Sequence, residues 1–134
     1  MNRPLLATFA GAVIALLTPF APASSHHSHA MFASDREVTV TGTVSGVRYA
    51  NPHVYLRLAV ADENGATSTW TVEMSTIGNM SNRGISANSF QEGYEVTITM
   101  NPLRNGQSGG NYIRIESING VLNAASGNNW APDH

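Results

Sequence analysis

The sequence has no cysteine and no lysine, and each absence excludes a class of protein. Without cysteine, the chain has no disulfide, no lipid-anchored lipoprotein signal and no thiol nucleophile. All 7 basic residues are arginines, and they stand against 9 acidic residues, for a formal net charge of -2. Nucleic acids and anionic membranes attract basic surfaces, so this balance excludes both as expected partners. Phosphate-cradling glycine loops are also missing, and residues 106–110, which match Gly-x-Ser-x-Gly, are predicted to be part of a glycine-rich hairpin loop between two strands, so we expect no enzymatic activity.

Residues 1–23 predict a cleaved signal peptide. Arg3 supplies the positive charge, residues 5–21 are apolar apart from two threonines, and the small residues that follow favour cleavage. The cut falls after Ala23 or after Ser25, and a single membrane anchor is the alternative. We therefore expect a periplasmic or secreted protein that has no stable membrane association after cleavage.

The rest of the chain predicts an all-β domain over residues 37–121. Valines alternate with threonines from Val38 to Val44, which indicates a half-buried strand, and the phase then slips at Ser45-Gly46, where glycine favours a β-bulge. Four further strands follow, with one short helix between strands 3 and 4. This order predicts a small five-stranded OB-like barrel. Another small β-barrel or a sandwich is the alternative.

Two segments flank the predicted barrel. Residues 24–36 are rich in histidine, and residues 122–134 are mostly Asn, Ala, Ser and Gly. The second composition need not pack, so we predict a flexible tail there.

Five groups of motifs are spread along the chain: His26-His27-Ser28, Met31-Phe32, Gly42-Thr43-Val44, Asn51-Pro52-His53, and Pro102-Leu103 with Gly109-Gly110. With them the chain resembles a family of uncharacterised secreted bacterial proteins, a domain of unknown function. Two departures are visible, since His29 stands in place of an aromatic residue and Ala33-Ser34 precede the acidic Asp35. The resemblance implies a periplasmic barrel and no particular activity.

Histidines cluster just after the predicted cleavage site, at His26, His27 and His29. Neutral imidazole and a free α-amine both bind metals. If Ser24 becomes the first residue, the amine, two backbone amides and the His26 ring form a square plane that suits Cu(II) or Ni(II). If His26 becomes the first residue, it chelates through its amine and ring together. The alternative is a solvated terminal tail.

Two residues beyond the cluster complete the predicted metal-binding set. His53 follows Asn51-Pro52 directly and lies on the polar phase of the second strand, and Met31 offers a soft thioether for Cu(I). Copper is the expected metal because it heads the divalent affinity order. For His53 the alternative is a turn residue that satisfies a backbone carbonyl.

The polar phase of strands 2 and 3 predicts a ligand-binding face that consists of Tyr55, Arg57, Thr71 and Glu73, because OB barrels often bind ligands on these strands. Arg57 and Glu73 are also expected to pair across the sheet.

The sequence therefore predicts a non-enzymatic periplasmic protein that binds copper through its mature N-terminal histidines. The alternative is an envelope module that binds a small ligand, a saccharide or a protein without any metal.

Overall fold

The computed structural model describes residues 29–130, in which five β-strands close into a barrel. The strands are β1 (Val38–Arg48), β2 (Tyr55–Ala61), β3 (Thr67–Glu73), β4 (Glu95–Pro102) and β5 (Gly109–Ile118), and one short helix, α1 (Ile77–Asn82), joins β3 to β4. Neighbouring strands follow the order β3-β2-β1-β4-β5, and parallel pairing of β3 with β5 closes the sheet. This is the OB-like barrel that the strand pattern predicts.

Smaller elements lie at the edges of the barrel. The two-residue strand β6 (Val121–Leu122) pairs with β5, and a short helix, α2 (Asn123–Ser126), follows it. Single 3-10 turns occupy His29–Met31 and Ala87–Ser89. Within residues 29–130 no helix has both the length and the apolar character needed to cross a membrane.

The bulge predicted at Ser45-Gly46 is confirmed. Val44 pairs with Leu58 and Gly46 pairs with Arg57, so β1 contains one more residue than β2 at this point. Because side chains alternate along a strand, the extra residue reverses the phase of β1, and Gly46 lies against the outward-pointing Arg57.

The interior is filled by the apolar phase of the strands. Its fully buried members include Leu56, Leu58, Val72, Val96, Ile98, Met100 and Ile115. Met80 of α1 and the following Ile85 and Phe90 close one end of this core. Helix α1 begins after Thr76, whose Oγ1 accepts a hydrogen bond from the Asn79 amide at 3.2 Å.

The C-terminal segment differs from the predicted flexible tail, because it packs against the barrel as far as Trp130. Trp130 is 6% exposed, and its carbonyl accepts hydrogen bonds from the Tyr112 hydroxyl at 2.8 Å and the Ile115 amide at 3.2 Å. Burial of this large aromatic side chain stabilises the packing of the segment against the barrel, although the other residues of the segment are mostly polar. Residues 131–134, like the predicted signal peptide, lie outside the described residues.

Candidate functional site

A cleft of about 340 Å³ lies at the end of the barrel, where the β1–β2 connection meets the segment before β1. It is lined by His29, His53, Met74, Ser75, Thr76, Asn79, Asn111 and Tyr112. Two histidines that are separated by 24 positions in the sequence thus face one space. A larger cavity, of about 500 Å³, lies beside the C-terminal segment, but Glu116 is its only ionisable lining residue.

The connection between β1 and β2 positions His53. Asn51 and Pro52 are joined by a cis peptide bond, and Asn51 Oδ1 accepts a hydrogen bond from the Ile77 amide at 3.1 Å. The next residue, Val54, is fully buried and exchanges two backbone hydrogen bonds with the end of β3, from its amide to Ser75 O at 3.0 Å and from the Met74 amide to its carbonyl at 2.8 Å. His53 is therefore held between a fixed turn and a fixed strand.

Contacts with the β4–β5 hairpin position His29. Phe32 is 6% exposed and forms a β-bridge with Leu103. On either side of it, the Ala33 amide donates to Pro102 O at 2.8 Å and the Arg104 amide donates to Met31 O at 2.9 Å. The described part of this segment, residues 29–36, lies outside the barrel strands, as predicted, but it is attached to the barrel.

Only some of the predicted metal-binding residues are found at the cleft. His29 and His53 line the cleft, whereas Met31 is 49% exposed and is not among the lining residues. His26 and His27 lie outside the described residues. Within residues 29–130, no group of three His, Cys, Asp or Glu side chains is assembled to hold a metal ion.

Glu73 is the partner of His53. Its Oε1 lies 2.6 Å from His53 Nδ1, and the residue is 8% exposed. The two atoms are not aligned as in a hydrogen bond, and Oε1 has no other hydrogen-bond donor among the described residues. A buried carboxylate oxygen without a hydrogen bond is costly in free energy, and functional sites often contain such atoms.

The expected pairing of Arg57 with Glu73 is wrong. In the β2–β3 register Arg57 stands opposite Thr71, and Glu73 stands opposite Tyr55 on one side and Asn111 of β5 on the other. Barrel closure also buries Glu73, which the alternating pattern had assigned to an exposed face. The polar phase of the two strands predicts correctly that Tyr55, Arg57, Thr71 and Glu73 share the outer side of the barrel.

Tyr55 is linked electrostatically to this carboxylate. Burial, the negative charge of Glu73 and hydrogen bonding with Glu73 all raise the pKa of Tyr55 above its ordinary value, whereas the positive charge of Arg48 lowers it. The Arg48 guanidinium lies over the Tyr55 ring, with 5.8 Å between Cζ and the ring centroid. Sequence reasoning missed Arg48 because it belongs to β1, and only the bulge brings its side chain to the outer face of β2.

Comparison with known protein families gives one match, to a family of unknown function, over residues 14–112. No curated protein and no solved structure matches the chain. The matched range includes the predicted histidine cluster, β1 to β4 and the start of β5. The chain belongs to the family of unknown function DUF6152.

Proposed function

We propose that this protein binds copper, without catalysing a reaction, in the cleft between His29 and His53. The observation that supports the proposal is the meeting of these two histidines in one cleft of about 340 Å³. Imidazole is a common copper ligand.

The contact between His53 and Glu73 also supports this proposal. In many metal sites a ligand histidine donates its other ring N–H to a carboxylate, and Glu73 is close enough to His53 Nδ1 to accept such a bond after a small rotation of either side chain. Nδ1 of His53 is 2.6 Å from the Glu73 carboxylate, and Nε2 has no hydrogen-bond partner among residues 29–130. Glu73 would then be a positioning residue, with His53 the ligand.

Two imidazoles alone form a weak site, so the proposal includes ligands from the N-terminal segment. His26, His27 and the α-amine created by signal cleavage are the nitrogen donors nearest in sequence to His29. Met31 is an additional donor for Cu(I). Export to the periplasm or the exterior is part of the same proposal, because cleavage creates the amine.

Copper titration of the protein tests this proposal, after mass spectrometry has established its first residue. His53→Ala removes a ligand and is expected to weaken copper binding more than Glu73→Gln, which removes the orienting carboxylate and should cost about 10- to 100-fold in affinity. Electron paramagnetic resonance of the Cu(II) form should lose one nitrogen coupling in His53→Ala.

His134→Ala is the matched control, since it removes a histidine that the proposal does not use. It should leave the affinity unchanged. If His53→Ala and His29→Ala both bind copper as tightly as the unchanged protein, the cleft is not the site. An affinity that falls equally in His134→Ala would point instead to unspecific binding by exposed histidines.

A second candidate function is binding of a small ligand without metal on the outer face of β2 and β3. The observation that favours it is a separate cavity on this face, between Arg48 and Arg57.

A further inference from the structure

A cavity of about 330 Å³ lies on the outer face of the barrel, over β2. Its lining consists of Val47, Arg48, Tyr55, Arg57 and Thr71. Two of these five residues are arginines and none is acidic, although acidic residues outnumber basic ones in the whole chain, by 9 to 7. The cavity is therefore a local concentration of positive charge on a chain of net negative charge.

Neither arginine of this cavity has a carboxylate partner among residues 29–130. Other arginines of the barrel do, since Arg104 lies 3.9 Å from Asp35 and Arg114 lies 2.7 Å from Glu116. A guanidinium has five N–H donors and pairs strongly with carboxylate and phosphate oxygens. Unlike Arg104 and Arg114, Arg48 and Arg57 keep their donors available for a ligand.

Neighbouring residues favour the positions of both guanidinium groups. Arg48 lies over the Tyr55 ring at 5.8 Å from its centroid. Arg57 lies across Gly46, so closely that a Cβ atom there would be 2.5 Å from Nη2 and 3.0 Å from Nε. Glycine at the bulge thus leaves the space that the Arg57 side chain occupies.

We propose that this cavity binds the oxyanion of a small polar molecule, a carboxylate or a phosphate, between Arg48 and Arg57. The Thr71 hydroxyl offers a further hydrogen bond, and the Tyr55 ring offers an apolar surface to the body of the molecule. Glu73 is not among the lining residues, and its carboxylate is in contact with His53 at 2.6 Å. The ligand therefore sits on the Arg57 and Thr71 side of Tyr55. This site uses none of the proposed copper ligands, so the two proposals stand or fall separately.

Titrations with three probes, followed by NMR chemical shifts or calorimetry at low ionic strength, test the proposal. The probes are glucuronate, glucose as its uncharged counterpart, and inorganic phosphate. We expect glucuronate, phosphate or both to bind and glucose not to bind. Glucuronate alone identifies a carboxylate site, and phosphate alone identifies a phosphate site. Binding should weaken with added salt, because ions screen an exposed charge pair.

Substitution of the arginines separates this site from general attraction to a positive surface. Arg48→Gln and Arg57→Gln should each lower the affinity by about tenfold or more, as expected for loss of a charge-assisted hydrogen bond. Arg104→Gln removes the same charge from an arginine outside the cavity and should change nothing. The proposal is wrong if all three variants bind equally, if glucose binds as well as glucuronate, or if no probe binds below about 10 mM.

Gly46→Ala provides a test that leaves every charge in place. The added Cβ meets only the flexible end of Arg57, so the fold should tolerate it while the guanidinium moves away. We expect weaker probe binding with little change in the melting temperature. Gly78→Ala is the matched control, because its Cβ would have Thr76 Oγ1 as nearest atom, at 3.9 Å. Unchanged binding in Gly46→Ala would contradict the assigned position of Arg57.

Discussion

Two outer faces of the barrel carry arginine side chains, and they differ in what surrounds those side chains. On the β4–β5 face, Arg114 Nε donates to Glu116 at 2.7 Å, and Arg114 Nη1 lies 3.5 Å from Glu37. Thr99 joins the same network, since its hydroxyl lies 2.8 Å from Glu116 Oε1 and 2.7 Å from the Thr39 hydroxyl. The polar side chains of this network all have partners within the protein.

On the β2–β3 face the arginines lack such partners. Arg48 and Arg57 have no carboxylate within reach among the described residues, and Glu73 Oε1 has no hydrogen-bond donor there although it is buried. Arrangements of this kind cost stability, whereas a satisfied network contributes to it. The difference indicates that the β4–β5 network contributes to the stability of the fold, and it is the reason for the binding site proposed on the β2–β3 face.

The largest expected effect is a loss of stability on the β4–β5 face, where the polar network has its partners. Thr99→Val keeps the shape of a side chain that is 1% exposed but removes both of its hydrogen bonds, so we expect a loss of about 1–3 kcal/mol in the free energy of unfolding. Thr97→Val is the matched control, because its hydroxyl bonds to Thr41 at an exposed position. Denaturant unfolding should give a loss below about 0.5 kcal/mol for the control. Equal losses in Thr99→Val and Thr97→Val would show that burial does not make the hydrogen bonds of Thr99 more important for stability.

A smaller effect on stability is expected when an arginine with ion pairs, Arg114, and an arginine without one, Arg57, are each replaced by glutamine. Arg114→Gln breaks two ion pairs of partly exposed groups, which should lower the free energy of unfolding by up to about 1 kcal/mol. Arg57→Gln breaks no ion pair, and we expect a change within about 0.5 kcal/mol. A larger loss for Arg57→Gln, measured by the same unfolding experiment, would mean that Arg57 serves the fold.

The smallest effect concerns the titration of Tyr55, whose ordinary pKa is 10.0. Glu73→Gln removes the negative charge beside the phenol and should lower the raised pKa of Tyr55, while burial, the largest cause, remains. A phenol with a raised pKa in the folded state stabilises the protein below pH 10, and this contribution is lost as the pH rises through the folded value. In Glu73→Gln this loss should therefore be smaller and should be complete at a lower pH.

Ultraviolet absorbance during an alkaline titration measures this phenol, with Tyr55→Phe subtracted to isolate its signal. An unchanged titration in Glu73→Gln would show that the carboxylate does not act on Tyr55. Tyr55 and Glu73 would then interact less strongly than their positions on the β2–β3 face indicate.

Much of the fold could be predicted from short patterns in the chain. Alternating valine and threonine predict β1, the slip at Ser45-Gly46 predicts its bulge, and Asn51-Pro52 predicts the break before β2. These features depend on local geometry, namely the two-residue period of a strand and the constraints of glycine and proline. The C-terminal segment was harder to predict, because one buried Trp130 outweighs the polar composition around it.

The site could be predicted only in part. The Asn51-Pro52-His53 turn and the polar phase of β2 and β3 draw attention to His53 and Tyr55 from the sequence alone. The contact of His53 with Glu73 depends on the register of β2 with β3, and the burial of Glu73 depends on the pairing of β3 with β5. No local pattern contains that information.

The sequence by itself determined which residues face inward and which face outward, because alternation along a strand depends only on neighbouring residues. Tertiary structure alone decided which outward residues meet. Contacts between the N-terminal segment and the β4–β5 hairpin brought His29 to the cleft that His53 lines, and the bulge in β1 placed Arg57 over Gly46 and Arg48 over Tyr55. The physical reason is that strand register and closure are set by how all the apolar side chains pack together, and not by the few residues that come into contact as a result.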